Sequence, residues 1–240
     1  MEHKSNNNYD SLCYLCVQKA QMIPIAHIRT DFPSKFGVPR QSGLVSQLEG
    51  RIHFEPAYRN PDAVRGLETI SHIWLIWEFS QSIRPDWSPV VRPPRLGGNK
   101  SMGVFATRSP YRPNPVGLSA VRLDHISYGA DGPVLHVYGA DLADGTPIYD
   151  IKPYIPYADC IPDAASGYVG TLPERRIAVD VPEVLLLRIP AEKRQALLGV
   201  LGLDPRPAYQ EDSRTYGMAF AGHDIRFHVR DSVLHVTEIK

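Results

Sequence analysis

The 240-residue sequence predicts a mainly β protein: a closed or nearly closed β structure followed by a small α+β unit at the C-terminus. Three observations carry that prediction. Short runs rich in Val, Ile, Phe and Tyr recur along the first part of the chain, punctuated by clusters of Gly, Pro and Asp. The dozen-residue helices that a parallel, doubly wound sheet needs between its strands are missing. Beyond the loop-like YADCIPDAASGYVGTLPE at 157–174, the pattern changes to one amphipathic helix and one hairpin.

Residues 1–20 read as a leader, and MEHKSNNNYD lacks the basic start and apolar stretch of a signal peptide. A β unit over 21–175 follows, with strands expected in MIPIAHIRT from 22, GRIHFEP at 50, HIWLIWEF at 72, GVFAT at 103, VGLSAVRLDHISY at 116 and PVLHVYGADL at 133. The one helical signal among them is NPDAVRGLE at 60–68, with Asn60 as N-cap and Pro61 at the first helical position. In the C-terminal unit, 176–240, PAEKRQALLGVLGL at 190–203 places Ala196, Leu197, Val200 and Leu201 on one side of a helix. GHDIRFHVRDSVLHVTEI then reads as a hairpin turning near Arg230 to Ser232.

Composition narrows the function. Lys plus Arg equals Asp plus Glu at 26 each, so affinity for a polyanion has to come from local clustering. The most apolar run, HIWLIWEF, is far short of the ~20 residues of a membrane span, and a cytoplasmic protein is expected. Cys13, Cys16 and Cys160 are too few and too odd in number for a disulfide framework. The CxxC of Cys13 and Cys16 has no second ligand pair at finger spacing, so no metal is expected.

Charge is nevertheless uneven. From Trp87 to Leu123 there is no Asp or Glu, while Arg92, Arg95, Lys100, Arg108, Arg112 and Arg122 all fall inside. Within this island, TRSPYRPNPVG carries Pro110, Pro113 and Pro115, which push Ser109, Arg112 and Asn114 towards extended backbone. A stiff loop loses less entropy when its cations meet a ligand, although a solvated basic face has the same composition. GGNKSMG has neither P-loop nor dinucleotide-fingerprint spacing. In DGTPIYDIKPY, Asp144 and Gly145 signal a turn; Asp144, Asp150 and Asp159 are acceptors for hydroxyls or amines, or plain turn formers. His72 suits a ligand contact or a strand cap. No Ser/His/Asp order, nucleophile elbow or HExxH appears. The residues by themselves indicate a rigid basic loop on a β scaffold that binds an anionic or nucleotide-like partner.

DFPSKFGVPRQSGLV at 31–45, ISHIWLIWEF at 70–79, GVFATRSPYRPNPVGLS at 103–119 and DGTPIYDIKPYIPYAD at 144–159 together resemble the TsaA-like (TrmO) family. DPRPAYQEDSRTYGMAF at 204–220 resembles the C-terminal part of its bacterial members. The resemblance implies a single-sheeted antiparallel β-barrel that binds S-adenosylmethionine without a dinucleotide-binding domain. It also implies a homodimer with the cofactor near the subunit interface, methylating N6 of threonylcarbamoyladenosine beside the anticodon of tRNA. By motif, cofactor contacts fall on Pro39, Arg40, Gln41, His72, Arg108, Leu118, Asp144, Gly145, Thr146 and Pro147. On this reading the DGTP turn exposes backbone groups to adenine. Arg92, Arg95, Lys100 and Arg112 are expected to meet RNA phosphates. Loss of the N6 proton needs an acceptor, for which Tyr111 and Asp150 are the polar candidates; Tyr111 packing on Pro113, and Asp150 pairing with Lys152 or Arg112, are the purely structural alternatives. Arg206, Arg214 and Tyr216 are further candidates for the cofactor or tRNA site. Two other classes stay open: a non-catalytic RNA- or nucleotide-binding barrel, and a methyltransferase of a small metabolite or protein.

Overall fold

The computed structural model describes residues 22–93, 96, 98, 100–170, 176–206 and 214–240. Alternation along single strands builds the first sheet. In β3, His72–Glu78, the side chains of Ile73, Leu75 and Trp77 are buried while His72, Trp74, Ile76 and Glu78 face outward. That period of two fixes which face becomes core. The same alternation runs through β1 (Ala26–Arg29), β2 (Glu49–Phe54), β6 (Val116–Gly129) and β7 (Gly132–Tyr138). With β8, Pro147–Pro153, they close into a six-stranded barrel in the order β1-β2-β7-β6-β3-β8, every neighbouring pair antiparallel. Closure leaves the sheet no free edge. Ile28, Ile52, Ile73, Leu75, Leu135 and Ile148 fill its interior.

Two expectations need correction. GVFAT is not a strand: only Met102–Gly103 (β5) pairs, with Val90–Val91 (β4), and Val104–Ala106 is a 3-10 turn. The Val104 carbonyl accepts from both the amide and the hydroxyl of Thr107, which closes the turn. NPDAVRGLE is not one helix but two 3-10 turns, Pro61–Val64 and Leu67–Thr69, separated by Gly66 at φ 93°. Asn60 does cap the first, accepting from the Asp62 amide at 3.0 Å.

A second core lies against one end of the barrel. Its sheet has the order β10-β11-β12-β9, from β9 (Ala178–Asp180), β10 (Tyr216–Phe220), β11 (His223–Arg230) and β12 (Val233–Ile239). Asp231 and Ser232, both at positive φ, make the two-residue turn between β11 and β12. Short helices α1 (Pro156–Asp159) and α2 (Glu183–Leu186) precede α3, Arg194–Gly202, which buries Ala196, Leu197, Val200 and Leu201. Phe32, Val45 and Leu48 from the β1–β2 connection pack into this second core. Lys193 ties the two parts, 2.9 Å from Asp31 Oδ2 and 2.7 Å from Glu49 Oε2.

Antiparallel order brings three long connections to the same barrel end: residues 30–48, 79–115 and 139–146. His72 begins β3 at the opposite end.

Candidate functional site

At that barrel end, the strap 107–115 is held by its own short-range hydrogen bonds. Thr107 Oγ1 accepts from the Ser109 amide, Ser109 Oγ accepts from the Tyr111 amide, and Arg112 Nη1 donates to the Thr107 carbonyl at 3.2 Å. The prolines and these bonds together fix the backbone that carries Arg108. Arg108 Nη1 donates to Gln41 Oε1, joining the strap to the 30–48 connection. Arg108 is exposed, and Pro39, two residues before Gln41 in the chain, is buried.

Beneath the clamp runs a polar chain into the barrel. Trp77 Nε1 donates to Ser119 Oγ at 2.9 Å, and Ser119 Oγ donates to Asp141 Oδ1 at 2.6 Å. Trp77 is 6% exposed and Ser119 only 1%. Burial pushes the Asp141 carboxyl above its usual range; the Ser119 bond, its own backbone, the Arg108 charge and the Ser42 backbone act against that push. An acid at the base of an acid-free cationic loop is the arrangement's main electrostatic feature. Neither Ser119 nor Asp141 was singled out by motif. The available signal was register: Ser119 occupies an inward position of β6 among Gly117, Val121 and Leu123.

The DGTP residues sit between β1 and β8. Asp144 Oδ1 accepts from the Thr30 amide at 3.0 Å and Oδ2 from Arg29 Nη1 at 3.2 Å. The amides of Asp144, Gly145 and Thr146 donate to the carbonyls of Phe32, Ile28 and Ala143. The first two of these bonds tie the turn to β1 and the segment after it, and the third closes the turn on itself, so the amides of all three residues already have partners within the chain. Pro147 has no amide hydrogen and pairs with His27.

A third group lies on the outer face of β6, β3 and β8. Ile76 is flanked by Leu118 on one side and Asp150 on the other, and His72 is opposite Arg122. Leu118 is 55% exposed. Asp150 pairs with Lys152 at 2.8 Å and accepts from the Ile151 amide at 2.8 Å. His72 is exposed, with Ser71 Oγ 3.0 Å from its Nδ1 and the Tyr154 ring 6.4 Å away. Five strand steps separate His72 from Trp77, about 16 Å at the usual rise. Within one subunit His72 therefore stands well apart from the Arg108–Gln41 clamp.

Tyr111 lies on the strap under the Arg84 guanidinium, whose Cζ is 3.8 Å from the ring centroid. Arg92 and Lys100 are exposed in the 79–115 connection and Arg112 is half-buried; Arg95, like Cys13 and Cys16, lies outside the described residues. Arg206, 8% exposed, forms a forked pair with Asp204 at 2.8 and 3.0 Å, and Arg214 lies 5.9 Å from the Tyr216 ring.

The family model for the tRNA-methyltransferase O N-terminal domain matches residues 27–160, and that for the TrmO C-terminal domain matches 184–240. The chain is 44% identical to the tRNA (adenine(37)-N6)-methyltransferase of Escherichia coli over 90% of its own length and 96% of that protein. A Pseudomonas aeruginosa protein named "Putative S-adenosylmethionine-dependent methyltransferase RcsF" is 40% identical over 90% of this chain and 96% of its own. The crystal structure of TrmO from Pseudomonas aeruginosa superposes with a TM-score of 0.74 at 33% identity, covering 93% of this chain and 99% of that one. Clamp, strap, buried acid and DGTP turn all lie inside the N-terminal match, and the chain belongs to the tRNA-methyltransferase O family.

Proposed function

We propose that this protein transfers the methyl group of S-adenosylmethionine to N6 of threonylcarbamoyladenosine beside the anticodon of tRNA, as a cytoplasmic homodimer. The family membership supplies the reaction class, an S-adenosylmethionine-dependent tRNA adenine-N6 methyltransferase. The observation that carries the site is the Arg108–Gln41 clamp above the Ser119–Asp141 pair.

The side chains present suit that cofactor. Arg108 offers a forked, permanently charged donor to a carboxylate, Gln41 adds an amide, and Pro39 and Leu118 give apolar walls. Arg40 adds a second exposed cation beside Gln41. Asp141 supplies the compensating negative charge on the side where a sulfonium or ammonium has to be accommodated. The DGTP turn, Asp144 to Pro147, shapes the rim rather than lending its amides. When bound, S-adenosylmethionine supplies an already activated methyl group. The chain's own task is then alignment and exclusion of water, which a pre-stiffened strap serves. The acceptor nitrogen shares its lone pair with the purine and the carbamoyl group, so its proton has to leave during attack. Tyr111 and Asp150 are the acceptors to test for that proton. Arg92, Lys100 and Arg112 contribute phosphate contacts around the mouth, and Arg95 is a further phosphate-binding candidate on the strength of its place in the acid-free stretch of sequence.

Dimerisation explains how His72 joins a site about 16 Å from it along β3. The outer face bearing Leu118, Ile76 and Trp74 is apolar at its centre and carries His72 and Asp150 at its margin. A partner packed on that face brings its His72 towards this subunit's clamp. Among the described residues no helix is long and apolar enough to cross a membrane.

Calorimetry with S-adenosylmethionine, followed by methyl transfer to tRNA with and without the threonylcarbamoyl group, tests the proposal. Binding of the cofactor with methylation restricted to the modified tRNA is the expected result.

A further inference from the structure

The other outer wall of the barrel, over β1, β2, β7 and β6, has a composition that the barrel mouth does not use. Strand register sets Arg29 opposite Arg51, Arg51 opposite His136, and His136 opposite His125. Four neighbouring strands thus carry one transverse row of cationic or protonatable groups, roughly 14 Å long at the usual strand spacing. His27 and His53 face each other in the adjoining outward row.

Arg29 and His125 at its two ends have carboxylate partners, while among the described residues Arg51 and His136 at its centre form no ion pair. The His125 and His136 rings stack with centroids 4.0 Å apart and planes 13° from parallel. Facing His136 are His125 and Asp124 of β6 and Arg51 and His53 of β2; Ser127 Oγ is 2.8 Å from its Nε2. Facing His53 are Arg51, Arg29, Arg59 and Asp131. Nearby carboxylates are already engaged: Asp124 with His125 at 2.8 Å and Arg122 at 3.5 Å, Asp131 with Arg59 at 3.1 Å, Asp144 with Arg29 at 3.2 Å, and Glu55 with His27 at 2.5 Å. Burial, followed by the surrounding positive groups, holds both His53 and His136 below the ordinary imidazole range. Two imidazoles in face-to-face contact beside an arginine repel one another when protonated, and an incoming anion relieves that repulsion. A metal is a poor occupant. Parallel rings do not aim their nitrogens at a common point, and among the described residues no three His, Cys, Asp or Glu side chains converge on an ion.

We propose that this wall is a binding surface for the phosphate backbone of the tRNA substrate, a contact made outside the barrel mouth. The identity of the polyanion rests on the tRNA-methyltransferase reading. A row of charge on a rigid sheet matches a repeating line of phosphates and holds it without reading sequence. Because bound phosphate favours the protonated imidazoles, RNA binding at this wall takes up protons and tightens as pH falls.

The test is the affinity for tRNA between pH 5.5 and 8, and its salt dependence at fixed pH, for the wild-type chain, Arg51→Gln and the double variant His125→Gln/His136→Gln. Wild-type affinity is expected to rise roughly tenfold towards low pH, and the double variant to lose most of that rise. Arg51→Gln is expected to reduce the salt slope by about 1. Binding of S-adenosylmethionine and the melting temperature should be the same in all three. Variants that bind tRNA with the wild-type pH profile and salt slope overturn the inference while leaving the enzyme's assignment intact. A change of oligomeric size with unchanged tRNA binding also overturns it, by making the wall a protein contact. A wild-type protein that binds no tRNA at any pH defeats the underlying reading, and the inference with it.

Discussion

Ser119 Oγ donates a 2.6 Å hydrogen bond to Asp141 Oδ1 directly below the loop that carries Arg108. The hydroxyl in turn receives the Trp77 indole hydrogen at 2.9 Å, so its orientation is set from the barrel core outward. The pair links a strand position that alternation makes buried to the exposed Arg108.

Asp141→Asn tests the charge while keeping the shape. Burial raises the Asp141 pKa in the folded state. Its contribution to stability is therefore fullest below the unfolded-chain pKa and is lost as pH rises through the folded value. The asparagine variant should melt at or above the wild-type temperature near pH 7, with that advantage shrinking towards pH 4. Its methyl-transfer rate should fall on the order of 10- to 100-fold as Arg108 loses its counter-charge and its alignment. Differential scanning calorimetry across pH, beside single-turnover kinetics, checks both halves.

Arg108→Lys keeps the charge and removes the fork that reaches Gln41. A lost charge-assisted hydrogen bond is expected to weaken S-adenosylmethionine binding by about 10- to 100-fold. Titration calorimetry with the cofactor measures it, and Gln41→Ala should produce a smaller loss in the same direction.

Gly117 lies on β6 against the Trp77 ring, where an added Cβ would stand 2.3 Å from the nearest ring atom. Gly117→Ala is expected to cost about 1–3 kcal/mol through overpacking. Displacement of the indole should also break its bond to Ser119, so the tryptophan emission should shift along with the melting temperature.

If His72 completes the site of the partner subunit, mixing inactive His72→Ala and Arg108→Ala chains restores activity. Random reassortment leaves half the dimers mixed, each with one intact site, and recovery of roughly a quarter of wild-type activity is expected. Kinetics on co-refolded mixtures checks this, and mixtures no more active than either parent would count against the shared site.

Much of the barrel was legible in the sequence because a half-buried strand writes its alternation plainly, as in HIWLIWE. β8 was not, since prolines at both ends and the Asp150–Lys152 pair blur its alternation. GVFAT carries β-prone residues, yet Thr107 folds the segment back on Val104 by bonds that propensity does not encode. The site was legible in part. Prolines announced the stiff strap, and the charge count announced its field. The placement of Asp141 was hidden, because PVLHVYGADL reads as one strand, whereas β7 ends at Tyr138 and the chain beyond it sets Asp141 beside Ser119 and near Arg108. The separation of His72 from the clamp likewise emerges only when β3 is given its direction.

The proposed reaction sets a methyl donor, held at the Arg108–Gln41 mouth, against one modified adenosine of tRNA. Its most direct test follows labelled methyl from S-adenosylmethionine into purified tRNA, with and without the threonylcarbamoyl group, for the wild-type chain and Arg108→Ala. The expected result is label on N6 of the modified nucleoside alone, lost in the variant. Cofactor binding without transfer to either tRNA, or equal labelling of both, would contradict it.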